Sequence, residues 1–187
     1  MKNLFPPPAN FWMKQAAFIF IFLCPALSAF ALTPDDLANN LKIRKATMDL
    51  VRQQRMQDSV NYLSANVRSD EKGARRDLTV AQELIGMAFG FQNHHERAEA
   101  QAAAQAALEK IQSLPHGAGR DPQMGSLFSN AGLMCERVLN DPVMAKAFYE
   151  AALSAHPSNK LAQDRMELMR HKRHDRQSDG NSGSAKP

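Results

Sequence analysis

The sequence predicts an all-α fold: three antiparallel helix hairpins stacked one on the next and closed by a C-terminal helix. Three observations carry that expectation. Hydrophobic residues make up 44% of the 187-residue chain but aromatics only 7%. The core is therefore built from Ala, Leu, Met and Val, which suits closely packed helices better than sheets. Apolar residues recur at helical spacings, and alternating runs of β-branched residues are absent. Similar residues also return at comparable places in successive helix pairs.

The first element, residues 1–31, reads as a secretory signal of bacterial type. Lys14 precedes an apolar run from Ala16 to Leu23, then helix-breaking Pro25, then Ala29 and Ala31 with one residue between them. This is the order of n-region, h-region and small-x-small cleavage site, with cleavage expected after Ala31. Met13-Lys14 makes a more typical beginning for such a signal than Met1. The stretch from Ala16 to Leu32 reaches the lower limit for a membrane helix, ~17 residues. Pro25 and the A-x-A ending argue against a retained anchor, so no stable membrane anchor is expected after cleavage. Leu23 is too large for the position before a lipidated Cys24. Loss of Lys2 and Lys14 takes the formal charge from +4 to +2, too mild a balance to indicate nucleic acid or an anionic membrane surface.

The mature domain is expected over 32–173. Thr33-Pro34-Asp35 suits a helix start, and Leu37, Leu41, Met48 and Val51 follow at helical spacings. Val80, Leu84, Met87, Ala88 and Phe91 form a stripe at i, i+4, i+7, i+8 and i+11. Ala98 to Ile111 is alanine-dense and stops before the breaker Leu114-Pro115-His116-Gly117. Asp141-Pro142 opens another helix, with Asp as N-cap and Pro in the first turn. His156-Pro157 closes it, and Ser158 is placed to cap a last helix that fades into charge near Arg173. Residues 174–187 are Gly/Ser/Asp-rich and expected to be disordered. The count is six helices in three pairs, plus a seventh.

The pairs repeat weakly. In the second helices Ser59, Ala100 and Ala145 align, at offsets of 41 and 45 residues. Leu63, Ala104 and Tyr149 follow four residues on, then Asn66, Ala107 and Ala152, then Val67, Leu108 and Leu153. In the first helices Ala46, Gly86 and Gly132 stand 13, 14 and 13 residues before those anchors. Small residues there would let paired helices approach closely.

In the third unit Phe128-x3-Gly132 is followed by Ala145-x3-Tyr149-x2-Ala152-x4-Pro157. This resembles a tetratricopeptide repeat: a large apolar residue, then a small one, then Ala, an aromatic, Ala and Pro. SNKLAQDRMELMR resembles the solvating helix that ends such arrays. The likeness is good over 126–172, fair over 76–112 and poor over 35–70. The chain departs from the pattern in several places. The turn in the third unit is one residue longer, and Cys135 replaces the aromatic late in the first helix, where Phe89 fits in the second unit. The closing Pro is missing from the first two units, and the spacing exceeds the usual 34 residues.

Chemistry has little foothold. Cys135 is the one cysteine left after cleavage, so no internal disulfide can form. Its neighbours Ala131, Leu133 and Met134 point to a small buried hydrophobe. His94-His95 reads as a solvated turn, and His171 and His174 lie in the basic run MRHKRHDR, a solvated helix end that favours the helix dipole. Gly86 and Gly90 form a G-x-x-x-G read as close helix packing, and the scattered methionines read as core. No G-x-S-x-G, H-E-x-x-H or P-loop is present. Neither enzyme activity, cofactor nor metal is expected.

The resemblance implies a stacked array whose first helices line a concave surface that holds a protein partner of the cell envelope. On that basis the exposed partner-binding residues are Asn40, Thr47, Glu83, Met87, Ser129, Glu136 and Arg137. Ile43 and Thr47 stand where a clamp for a peptide's terminal carboxylate wants Lys and Asn, so a segment read by mixed polar contacts is expected. The rival class is a self-associating envelope protein, a homodimer through the first hairpin.

Overall fold

The computed structural model describes residues 34–67, 73–115 and 120–181, with side chains described from 38 to 171 within those ranges. The expected signal, His116 and Gly117 of the breaker, and residues 182–187 lie outside the described residues. By its contacts the chain divides into two units, Met1–Leu41 and Lys42–Pro187. The described part of the first is the opening of helix α1.

Among the described residues there are seven helices and no strand: α1 Pro34–Arg52, α2 Met56–Asn66, α3 Ala74–Asn93, α4 Arg97–Gln112, α5 Pro122–Met134, α6 Pro142–Ala155 and α7 Lys160–Asn181. A π-helical turn, Cys135–Leu139, extends α5. None of the described helices is long and apolar enough to cross a membrane. The closest pairs are α3 with α4 and α5 with α6. Each second helix also packs on its successors in the chain: α2 on α3 and α4, α4 on α5 and its π-turn, α6 on α7.

Local chemistry sets the ends. Asp121 and Asp141 each precede a proline in the first turn. Their carboxylates accept from the amides of Gln123 (2.8 Å) and Met124, and of Val143 (3.1 Å) and Met144. Asp141 is the cap expected from the sequence; Asp121 carries the same signal. Helix α7 is capped by Asn159 rather than Ser158, because the Asn159 side-chain oxygen accepts from Ala162 N–H at 3.0 Å. The same side chain donates to Gly125 O at 3.1 Å and to Ser129 Oγ at 3.3 Å, tying the start of α7 to α5. Helix α7 also continues past Arg173 to Asn181, so the tail expected from 174 is helical that far. No proline interrupts the segment, and no glycine occurs before Gly180.

The three hairpin turns each place a left-handed residue at the same step before the second helix. The non-glycine residues with positive φ among the described residues are Gln54, His95 and Asn140. Each lies in a hairpin turn, five residues before Ser59, Ala100 or Ala145. In the first two turns the bonds are those of a Schellman motif. Arg55 N–H donates to Leu50 O at 3.0 Å and Gln54 N–H to Val51 O at 2.8 Å. Glu96 N–H donates to Phe91 O at 2.9 Å and His95 N–H to Gln92 O at 3.1 Å. In the third turn Asp141 N–H reaches Cys135 O at 2.9 Å, one residue further back. The π-turn absorbs that extra residue.

This turn corrects the alignment of the first helices. Twelve residues before Ser59 and Ala100 stand Thr47 and Ala88, both fully buried, whereas Ala46 is only partly buried and Gly86 is exposed. Gly132 lies thirteen before Ala145 because the third hairpin alone carries the insertion. The small positions are therefore Thr47, Ala88 and Gly132. Ser59 Oγ donates to Thr47 O at 3.2 Å. A Cβ on Gly132 would stand 2.6 Å from the Tyr149 ring and 3.1 Å from Ala145 O. One on Gly125 would overlap His156 Cβ. A Cβ on Gly86 would meet nothing within 4 Å, and on Gly90 only the Met48 methyl at 3.9 Å. The G-x-x-x-G is not a close-packing site. By the same count Phe91, fully buried, is the counterpart of Cys135, and Phe89 is not.

The α3 stripe is buried along its length, from Val80 to Phe91. The α1 stripe is not the one expected. Ile43, Thr47 and Val51 are buried, while Leu41 is exposed and Met48 partly buried. The pattern missed Thr47 because a threonine enters a core once its hydroxyl is satisfied. Here it donates to Ile43 O at 2.6 Å.

Two kinds of glycine exchange test this geometry in urea unfolding. His95→Gly and Gln54→Gly should each gain about 1 kcal/mol, relieving the left-handed strain of a side chain. Gly132→Ala should cost about 1–3 kcal/mol by overpacking against Tyr149, while Gly86→Ala should gain up to about 1 kcal/mol from helix propensity. A neutral Gly132→Ala would show that the α5–α6 approach is not held by the missing side chain.

Candidate functional site

The structure separates the seven expected partner-binding residues into three groups. Thr47, Met87 and Ser129 are buried, which corrects the expectation that they are exposed. Thr47 and Ser129 spend their hydroxyls inside, on Ile43 O and Ser126 O. Met87 completes the α3 stripe. Glu83 and Glu136 are partly buried and tied within the chain. Arg44 of α1 grips Glu83 of α3 through two bonds of 2.9 Å. Glu136 accepts from Tyr149 OH at 3.1 Å and lies 3.7 Å from Arg165 of α7. Asn40, within the first unit, is partly exposed, and Arg137 is exposed.

The ion pairs show how the first helices run. From α1, Arg44 pairs with Glu83, Met48 lies beside Gly90, and Arg52 pairs with Glu96 through bonds of 2.9 and 3.0 Å while covering the Phe91 ring. Residue numbers rise together on both sides, so residues 44–52 of α1 run parallel to α3. Between α5 and α7 the same holds: Gly125 and Ser129 meet Asn159, and Glu136 meets Arg165. Within a hairpin the sense reverses: Asp77 pairs with Lys110, and Gly125 and Gly132 face His156 and Tyr149.

The small positions define the opposite face of each first helix. Residues two before, one after and five after Thr47, Ala88 or Gly132 fall about 100–160° around the helix from it. Two before stand Lys45, Gly86 and Asn130. One after stand Met48, Phe89 and Leu133. Five after stand Arg52, Asn93 and Arg137. All nine are exposed or partly exposed, and none is acidic. The middle row is apolar. Spacing from Gly86, a surface residue, concealed this face; counting from Ala88 brings it out.

Cys135 is fully buried. Burial, and after it the charge of Asp141, raises its thiol from an ordinary 9.0 to about 11, so it is protonated at neutral pH. Burial and then Glu136 also push the Tyr149 phenol up. His94 and His95 are exposed in their turn. Comparison with family models, curated proteins and solved structures finds no match to the chain.

The raised thiol has a signed consequence. A group whose pKa is higher folded than unfolded adds stability that is full below its unfolded pKa and lost as pH rises through its folded value. Unfolding midpoints should therefore fall between pH 9.0 and about 11, and Cys135→Ala should lose less over that window than the parent. Equal losses would show that the thiol does not contribute to the alkaline limb.

Proposed function

We propose that the chain is an exported, non-catalytic interaction module of the cell envelope. In this reading it is a tetratricopeptide-like array of stacked hairpins whose first helices present one face to a protein partner. The thrice-repeated turn carries the reading. The left-handed residue and the five-residue step to the second-helix anchor recur in each pair, and the return bond recurs in the first two and is one residue longer in the third. Units alike in turn and anchor stack alike, since no single hairpin can bury its apolar side alone. The parallel run of first helices and the packing of each second helix on the next unit support the same arrangement. Export rests on the sequence of residues 1–31.

Asn130, Phe89 and Leu133 replace the buried residues and join Arg137 of the expected set as the contact surface, with Gly86 leaving open space between them. The face combines polar edges with a partly buried apolar row, of which Met48 and Phe89 also pack on the core.

Photo-crosslinking residues placed at Phe89, Leu133 and Arg137, with Gln105 on α4 as control, test this in intact cells. The first three should yield an adduct with one other envelope protein, the control none, and the mature chain should begin at Leu32. Adducts holding only a second copy would assign the protein to the self-associating class. The absence of any adduct from the three positions would end the interaction reading.

A further inference from the structure

We propose that the segment seated on this face is acidic and carries an apolar side chain for the Phe89–Leu133 row; the proposal rests on the interaction reading above. The argument is one of charge. Each described carboxylate on the array side of the first helices and their turns is engaged within the chain. Asp49 and Glu96 pair with Arg52, Glu83 with Arg44, Asp77 with Lys110, and Glu136 with Arg165. These pairs hold neighbouring helices or the two helices of a hairpin, apart from Asp49, which braces Arg52 along its own helix.

The cations of the face are treated differently. Lys45, Arg75 and Arg137 are exposed, and among the described residues none lies within ion-pair distance of a carboxylate. Arg75 falls thirteen residues before Ala88, on the same side of α3 as Gly86 and Phe89. Helix α7 adds Asp164, beside Lys160 of its own helix at 2.8 Å, and Glu167, 3.8 Å from the His171 ring and paired with it only when that ring is protonated. The acids leave positive charge beside the apolar row at Lys45 and Arg137, with Arg75 about 21 Å further along α3 from Phe89. An acidic segment gains from that charge in encounter and orientation, and its apolar residue supplies the buried contact. The three cations are too few, and the row too apolar, for a polyphosphate track.

The probe is a random twelve-residue peptide library displayed on phage and selected against the purified protein. Selected peptides should be enriched in Asp and Glu around a Leu or aromatic residue. Their affinity should fall about tenfold or more in Arg137→Glu and in Lys45→Glu. It should also weaken as salt rises from about 0.05 to 0.5 M, and drop in Phe89→Ala. Glu109→Lys on α4 should leave it unchanged, with helicity equal in all variants. Neutral or basic peptides that still depend on Phe89 would overturn the acidic-segment proposal and keep the interaction reading. Peptides indifferent to Phe89, Lys45 and Arg137, or no peptides at all, would overturn the proposal. Crosslinking at the same positions in cells then decides whether the wider reading falls with it.

Discussion

Two helices approach most closely where the side chains that meet between them are small, and much of this fold depends on that approach. Gly132 is the extreme case. The Tyr149 ring occupies the space where its Cβ would stand, so the largest fully buried side chain of the core faces the smallest residue. Ala88 opposite an alanine-dense α4 solves the same problem with two small surfaces. Thr47 solves it with a branched residue whose hydroxyl is returned to its own helix and whose carbonyl accepts from Ser59. The three solutions differ in volume; the α3–α4 and α5–α6 pairs pack closely along their length, and α1 meets α2 at the Thr47–Ser59 contact. The left-handed residue in each turn is a consequence of this. A connection of a few residues between helices in contact must reverse sharply, and one residue at positive φ achieves that.

The third hairpin shows how such a unit tolerates an insertion. An extra residue in an α-helix would rotate everything after it by about 100° and turn the apolar face away from its partner. Widening one turn into a π-helix takes up the residue without that rotation. Asn140 then resumes the left-handed position, and Asp141 caps α6. Cys135 begins the widened turn. Its counterpart in the second hairpin is Phe91, so the smaller side chain stands where the backbone itself bulges.

Much of the fold was legible in the sequence, and the misses have physical causes. The all-helical class, the stripe from Val80 to Phe91 and the cap at Asp141 follow from period and capping chemistry, which are local. The anchors Ser59, Ala100 and Ala145 were also readable, because small residues recur there at matching places. The first-helix alignment slipped because Gly86 looks like a packing glycine by composition. Only tertiary contact shows that it faces open space while Ala88 is the buried one. Ser129 and Thr47 looked like surface residues by polarity alone, and their burial depends on carbonyl acceptors that periodicity cannot reveal. Glu83 and Glu136 were correctly placed on the first helices, but their arginine partners lie 39 and 29 residues away in sequence, beyond the reach of any local pattern. Asn159 was missed for a similar reason: its cap is local, but its hold on Gly125 and Ser129 spans α5 and α7.

Those long-range pairs also explain why the surface has the character it does. Parallel neighbouring helices bring their like dipole ends together, an arrangement that gains nothing from backbone electrostatics and leaves side chains to fix the register. In this chain carboxylate–guanidinium pairs help to do so, at Arg44–Glu83 and Arg52–Glu96 between residues of α1 and the α3 hairpin, and at Glu136–Arg165 between α5 and α7. A carboxylate that sets register must sit at the flank of its helix, facing the neighbour, and is then lost to the outer face. On α3 and α5 the outer side keeps Phe89 and Leu133, one step past each small position, and the cations left over, whereas Met48 and Arg52 of α1 are turned onto α3 and its turn. Its charge is thus a by-product of how the helices are aligned.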